Sequence, residues 1–135
     1  MHLPPDKPLV LDIGGEGRHA AAWNLNPSPV RTGGPQRGEP IAKHLPGRAD
    51  AIPLPDGSVD EVIVERTPLN AAALLEIRRV LAPNGQIVLR HAIPPGIDPH
   101  AAARAVLGLP DHTSLASIGN RPVQETRFGG PSAEV

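Results

Sequence analysis

The sequence predicts an α/β fold: a doubly wound, mainly parallel sheet ending in a C-terminal antiparallel hairpin, with its helices reduced on one face. Three observations predict it. Leu9-Val10-Leu11-Asp12-Ile13 is an apolar run after Pro8 that stops at Gly14-Gly15, the pattern of a buried parallel strand feeding a tight turn. Val59–Glu65, Leu69–Leu81 and Gln86–His91 follow one another as strand, amphipathic helix and strand, which makes one βαβ unit. Thr113–Ile118 and Val123–Phe128, separated by Gly119-Asn120-Arg121-Pro122, read as a closing hairpin.

The other elements follow in order. Trp23 and Leu25 alternate with Asn24 and Asn26 before Pro27 stops any pairing, giving a brief second strand. Residues 27–49 hold nine Pro or Gly among 23 positions, so this stretch reads as a loop. Ala49–Leu54 is the expected third strand, and Pro55-Asp56-Gly57-Ser58 is turn chemistry. Val59–Glu65, with its Val62-Ile63-Val64 centre, is the fourth. Thr67-Pro68 is a helix start in which the hydroxyl caps free N–H groups and proline occupies the first turn. Leu74, Ile77 and Leu81 share one helix face, leaving Arg78 and Arg79 on a solvated one. Pro83-Asn84-Gly85 ends that helix. A second helix is expected from Asp98, its cap, to Leu107. The tail Gly129–Val135 is expected to fray.

Composition bounds what this fold can do. At 135 residues the chain suits one domain, burying roughly two-thirds of its unfolded surface. Trp23 and Phe128 are the aromatic residues, too few to stack bases, and 13 basic against 14 acidic residues leave no basic footprint. Both facts argue against a nucleic-acid partner. The absence of cysteine excludes disulfides, thiolate metal sites and a thiol nucleophile. Without an apolar stretch near 18 residues or a signal-peptide core, the expectation is a soluble, cytoplasmic protein with no membrane partner.

Doubly wound sheets bind ligands at the carboxyl ends of their strands, where the strand order reverses. That rule places Gly14, Gly15, Glu16, Gly17 and Arg18 near Asn26 and Glu65-Arg66. Glycines in such a turn let the backbone approach a ligand closely. A plain strand-to-loop turn is the competing account, and a lone glycine-rich motif is a weak signal.

The segments LVLDIGGEG, WNLN, ADAIPLPDGSVDEVIVE and EIRRVLAPNGQIVLRHA resemble the class I S-adenosylmethionine-dependent methyltransferases, in particular the methyltransferase type 11-like group, with its D-x-G-x-G turn and L-P-F-x-D-x-S-x-D segment. The resemblance runs from Leu9 to Ala92. It implies a Rossmann-like fold, S-adenosylmethionine as cofactor and methyl transfer to an unidentified acceptor. Position by position, Asp12 and Gly14 match the start of the cofactor motif, and Gly15, Glu16 and Gly17 its glycine-rich turn with one position displaced. Asn26 stands where an acidic residue usually meets the ribose hydroxyls, Asp50 and Ala51 where the adenine edge is read. Glu65 stands where substrate groups gather. DIGGEGR with NLNP is also similar to methyltransferase-like domains of polymorphic bacterial toxins, which implies an effector.

For proton transfer the candidates are Glu65, as general base or substrate anchor, and His19 and His91, either of which could assist proton removal. A carboxylate before a helix also complements the helix dipole, the competing account of Glu65. His2, His44, His100 and His112 lack metal-ligand spacing and are expected at the surface or in loops, so no metal site is expected.

Two departures stand out. Nine residues separate Ile13 from Trp23, against the dozen or more of a usual parallel crossover, which leaves room for one or two helical turns. The second crossover is too rich in proline for a helix. A sheet face left thinly covered invites a partner or a second copy of the chain, a homo-oligomer. The short crossover and Asn26 also suit an inactive binding or assembly module that has kept the core and lost turnover.

Overall fold

The computed structural model describes residues 8–129; His2 and tail positions 130–135 lie outside them. Seven strands form one sheet in the order β3-β2-β1-β4-β5-β7-β6. They are β1 (Val10–Ile13), β2 (Trp23–Asn26), β3 (His44–Pro46), β4 (Val59–Glu65), β5 (Leu81–His91), β6 (Asp111–Ile118) and β7 (Arg121–Gly129). The pairs from β3 through β5 are parallel, and β5–β7 and β7–β6 are antiparallel. The mainly parallel sheet with a terminal hairpin is therefore present. Its helices, α1 (Ala71–Val80) and α2 (Ala101–Leu107), pack on one face.

Strand alternation divides the residues between two faces. Leu11, Ile13, Leu25, Val62, Val64, Ile87, Leu89 and Phe128 turn toward the helices and form one buried cluster with Leu74, Ile77, Val80, Ala103 and Leu107. The opposite face carries Asp12, Asn24, Asn26, Glu61, Glu65, Gln86, Arg90, Glu125 and Arg127, with the buried Ile63, Val88 and Val123 among them. No helix lies in either of the first two crossovers. The one or two turns expected between Ile13 and Trp23 are absent, because nine residues suffice only to cross from one strand end to the next strand's start.

Several boundaries differ from expectation. The third strand is His44–Pro46, inside the segment expected to be a loop, and it pairs with β2 through Asn24↔His44 and Leu25↔Leu45. Ala49–Leu54 holds only an isolated bridge, Arg48↔Ala51. Ile52 and Leu54 are buried without strand pairing because α1 serves the backbone there. Glu76 Oε1 accepts from the Ile52 N–H at 2.9 Å, and Arg79 donates to the carbonyls of Ile52 (2.8 Å) and Leu54 (3.0 Å). Arg79 is thus a tie between helix and loop, not a solvated residue.

Helix α1 is capped by Asn70, whose Oδ1 accepts from Ala73 N at 2.8 Å, so it starts later than Thr67-Pro68 suggested. It runs directly into β5, whose first residue bridges Val59 before the register shifts around Asn84 (φ 67°) and Gly85. Asp98 does not cap α2; it accepts from His100 N at 2.9 Å in a turn that precedes the helix. Both hairpin strands are longer than expected, and Gly129, placed in the frayed tail, pairs with Gln86. Gly119 supplies the positive φ (60°) that the two-residue connection needs. Among the described residues, no helix is long and apolar enough to cross a membrane.

Candidate functional site

The strand order reverses between β1 and β4, and the crevice outside their carboxyl ends is where a ligand is expected. On the helix side of that point lies a cavity of about 230 Å³ lined by Ile13, Gly14, Leu25, Pro27, residues 47–50, Thr67, Pro68, Asn70 and Ala73. Of the residues singled out from sequence, Gly14 and Asp50 line it. Gly14 has φ 73°, and a Cβ there would fall 2.6 Å from Thr67 Oγ1, so the turn closes against the β4–α1 loop only with glycine. Asp50 is exposed and 3.5 Å from Arg48 Nε, while Ala51 is exposed beside it.

The other residues of the turn are engaged in building it. Gly14 N–H donates to the Leu25 carbonyl (2.8 Å), Gly15 N–H to the Asp12 carbonyl (3.2 Å), and Gly17 N–H to Asn24 Oδ1 (3.1 Å). A Cβ on Gly15 would lie 2.5 Å from Asp12 Cγ. Asn26 donates to the Gly15 carbonyl at 3.2 Å and accepts from Ser28 N at 2.9 Å. The Glu16 carboxylate reaches 16 residues ahead to accept from Thr32 N and Oγ1, tying the turn to the long loop.

Asp12 is fully buried, and both its oxygens accept from Arg18, at 2.6 and 2.9 Å. Burial raises its pKa above the ordinary aspartate value, and the Arg18 hydrogen bonds and charge offset only part of that. Glu65 resolves the other way. Burial pushes its pKa up, but the Arg90 hydrogen bond (2.6 Å) and the nearby His19 and Arg18 together bring it below the ordinary value. His19 Nε2 and Arg18 Nε lie 3.2 and 3.3 Å from Glu65 Oε1. Glu65 is therefore an ionised anchor among cations.

The structure does not bring Glu65 and His91 together. Glu65 pairs across the sheet with Arg90, so His91, the next residue, points to the helix face. His91 Nε2 lies 2.8 Å from the Thr67 carbonyl, and its Nδ1 2.8 Å from His100 Nε2. Beyond this, His100 Nδ1 is 2.7 Å from Thr126 Oγ1. A carbonyl can only accept, so His91 Nε2–H donates to Thr67; when both rings are neutral, His100 Nε2–H donates to His91 Nδ1 and the Thr126 hydroxyl to His100 Nδ1. His100 is 1% exposed, not the surface residue expected. Burial, with the neighbouring His91 adding to it, pushes its pKa down to about 4. The sequence did carry the signal, since His100, Ala103 and Leu107 stand at i, i+3 and i+7, one buried helix face. His44 also departs from expectation; it is half-buried, with Nε2 2.7 Å from the Asn26 carbonyl. A second cavity, about 270 Å³, lies against Leu69, Leu74, Leu89, His91 and His100 and shares Pro68 with the first.

The Methyltransferase domain family matches residues 11–89. The chain is 32% identical over 99 residues to the ubiquinone/menaquinone biosynthesis C-methyltransferase UbiE of Methylobacterium nodulans, an alignment covering 66% of this chain and 39% of that protein. It therefore spans about two-fifths of that relative's length. Among solved structures it is similar to a Thermotoga maritima S-adenosylmethionine-dependent methyltransferase, described as a possible histamine N-methyltransferase, with TM-score 0.65, 18% identity and coverage of 96% and 84% of the two chains. It is similar as well to 1,6-didemethyltoxoflavin-N1-methyltransferase of Burkholderia thailandensis, a structure with bound S-adenosylhomocysteine, with TM-score 0.65, 14% identity and coverage of 93% and 72%. The matched segment begins inside β1, takes in the glycine turn and the cavity, and ends in β5, so the chain belongs to the methyltransferase domain family, within the class I superfamily whose cofactor is S-adenosylmethionine.

Proposed function

We propose that this domain binds S-adenosylmethionine with its adenosine end in the cavity between Gly14, Leu25, Asp50 and Pro68, and transfers the methyl group to an acceptor yet to be identified. The observation that carries the reading is the position of that cavity, at the strand-order reversal and inside the segment matched by the family. Its walls suit a nucleoside: Ile13, Leu25 and Pro68 are apolar faces for a base, and Asp50 is a carboxylate at the rim. At about 230 Å³ it is smaller than the roughly 300–1,000 Å³ of whole small-molecule sites, so it suits one end of the cofactor.

In this reading Gly14, Asp50 and the neighbouring Ala51 stand next to the ligand. Asp12, Gly15, Glu16, Gly17 and Asn26 act by holding the turn in shape. The bound cofactor supplies an activated methyl group on a sulfonium, so the protein's part is to orient donor and acceptor. Glu65 and His91 flank the crevice from opposite sheet faces, the first as an anionic anchor, the second with its proton committed to Thr67.

Titration calorimetry with S-adenosylmethionine and S-adenosylhomocysteine tests the proposal. Saturable binding that Asp50→Ala weakens several-fold is the expected result, because Asp50 is exposed and its loss leaves the fold intact. Neither heat nor a thermal shift at millimolar ligand would overturn it. A second reading, favoured by the internal engagement of the Gly14, Gly15 and Gly17 amides, is a domain that holds the nucleoside without turnover. Binding without labelled product from methyl-labelled donor and a cell extract would favour it.

A further inference from the structure

The sheet has two edge strands, and they are built differently. β3 (His44–Pro46) is three residues long, follows Lys43 in the left-handed region (φ 48°) and ends on Pro46, which has no N–H to offer. Short length, lysine and proline are usual means of blunting an edge. β6 uses none of them. It runs for eight residues in unbroken register with β7, and from His112 to Ile118 it holds no proline, lysine, arginine or carboxylate. Among the described residues, no strand pairs with its outer side.

The hairpin fixes which backbone groups that side presents. Antiparallel pairs alternate between those that exchange both hydrogen bonds and those that exchange none. The Gly129 N–H donates to the Pro110 carbonyl at 2.9 Å, and the two-residue turn at Gly119-Asn120 closes on the pair Ile118↔Arg121 in the same phase. Even-numbered residues of β6 therefore bond to β7, while Asp111, Thr113, Leu115 and Ser117 direct their N–H and C=O groups outward. The side chains of this row lie on the helix face, where Thr113 Oγ1 is 3.0 Å from Thr126 Oγ1. Leu115, in the middle of the row, is 77% exposed, more than any other large apolar residue described.

We propose that β6 is a self-association edge: a second copy of the chain sets its own β6 antiparallel to this one about a two-fold axis at Leu115, so that the sheet continues from one copy into the other. A second copy fits because the strand complements itself. In that register Leu115 faces the partner's Leu115, Thr113 the partner's Ser117 and Ser114 the partner's Ala116. The exposed leucine is covered by its counterpart, and Asp111 lies opposite the partner's Gly119, so no like charges meet. This association does not depend on the cofactor reading.

A strand pair buries less than the roughly 1,200 Å² at which strong complexes begin, so a micromolar dimer is expected. Sedimentation of the full chain from about 5 to 500 µM should show the average mass rising from one chain toward two. Leu115→Lys, at an exposed position that leaves the fold intact, sets two ammonium groups against each other across the axis and is expected to raise the dissociation constant about tenfold or more. Leu75→Lys, on α1 where Leu75 is 54% exposed, is expected to change it less than about twofold. Because the chain has no cysteine, Leu115→Cys adds a single thiol. Facing Cα atoms in a bonded antiparallel pair are about 5.5 Å apart, within disulfide reach, so mild oxidation should give a covalent dimer that Leu75→Cys does not. A monomer at every concentration, a dimer that Leu115→Lys leaves intact, or equal weakening by Leu75→Lys would each overturn the inference, as would failure of Leu115→Cys to cross-link.

Discussion

The two faces of the sheet are covered by different means. Toward α1 and α2 the strands present Leu, Ile, Val and Phe128, and stability there comes from apolar area removed from water. On the face without helices the strands set the buried Ile63, Val88 and Val123 among paired charges: Glu65 lies opposite Arg90, Arg90 opposite Glu125, and Arg127 closes on Glu125 at 3.1 Å, with Arg18 added at the Asp12 end. The comparison teaches how a reduced α/β domain keeps a broad sheet once two crossovers have lost their helices. A strand face need not be apolar if its charges are paired, although such pairs stabilise less than buried hydrocarbon and respond to salt. The face expected to be thinly covered thus lacks helices and combines these charged pairs with Ile63, Val88 and Val123.

The contrast can be broken most severely on the apolar side. Phe128 is fully buried where β7 meets the core, and Phe128→Ala is expected to cost about 3–5 kcal/mol in denaturant unfolding, with little dependence on salt. A loss below about 1 kcal/mol would mean that the hairpin is not part of the cooperative core.

Next in size is the effect of acid on His100. Its folded pKa, about 4, lies below the unfolded value of 6.5. Between those values the unfolded chain binds the proton and the folded one does not, so stability is complete above pH 6.5 and declines as pH falls toward 4. The loss is expected to reach about 3 kcal/mol. Glu65 and Asp98, whose folded pKa values lie below their ordinary ones, add their losses only at lower pH, through and below the carboxylate range. Unfolding followed against pH should show the His100 slope vanish in His100→Phe, and a slope that persists would assign it to other groups.

Gly15→Val sharpens the comparison at the seam between the faces. Its side chain would press on Asp12 and Asn24, so a destabilisation of about 1–3 kcal/mol is expected even without ligand. Wild-type stability combined with lost cofactor binding would instead mean that Gly15 faces the ligand directly. The smallest effect belongs to the charged row. Arg127 is 43% exposed at its side chain, and Arg127→Gln is expected to cost under about 1 kcal/mol and to become neutral in high salt. Thermal unfolding at two salt concentrations measures it.

Strand and helix types were legible wherever a segment's own pattern governs it. The apolar run before Gly14, the Val62-Ile63-Val64 centre and the helical spacing of Leu74 and Ile77 all stand where they were expected. Ala49–Leu54 misled because burial and strand pairing leave the same apolar mark, and its backbone is satisfied by Glu76 and Arg79, about 25 residues away. β3 was hidden among prolines because pairing needs only three residues when Leu45 is buried beside Leu25.

At the site, sequence placed Asp12, the glycine turn, Asn26 and Glu65 around one crevice, which followed from strand order. It could not say which of them face a ligand, since Asp12 is spoken for by Arg18 and Asn26 by the Gly15 carbonyl. The sequence by itself determined the fold class, because periodicity and turn residues are local properties of the chain, and its motifs carried the resemblance to the family. Only the tertiary structure decided that Glu65 and His91 lie on opposite faces, that His100 is buried, and that Arg18 bridges Asp12 and Glu65, because each depends on which distant residues folding brings within hydrogen-bonding distance.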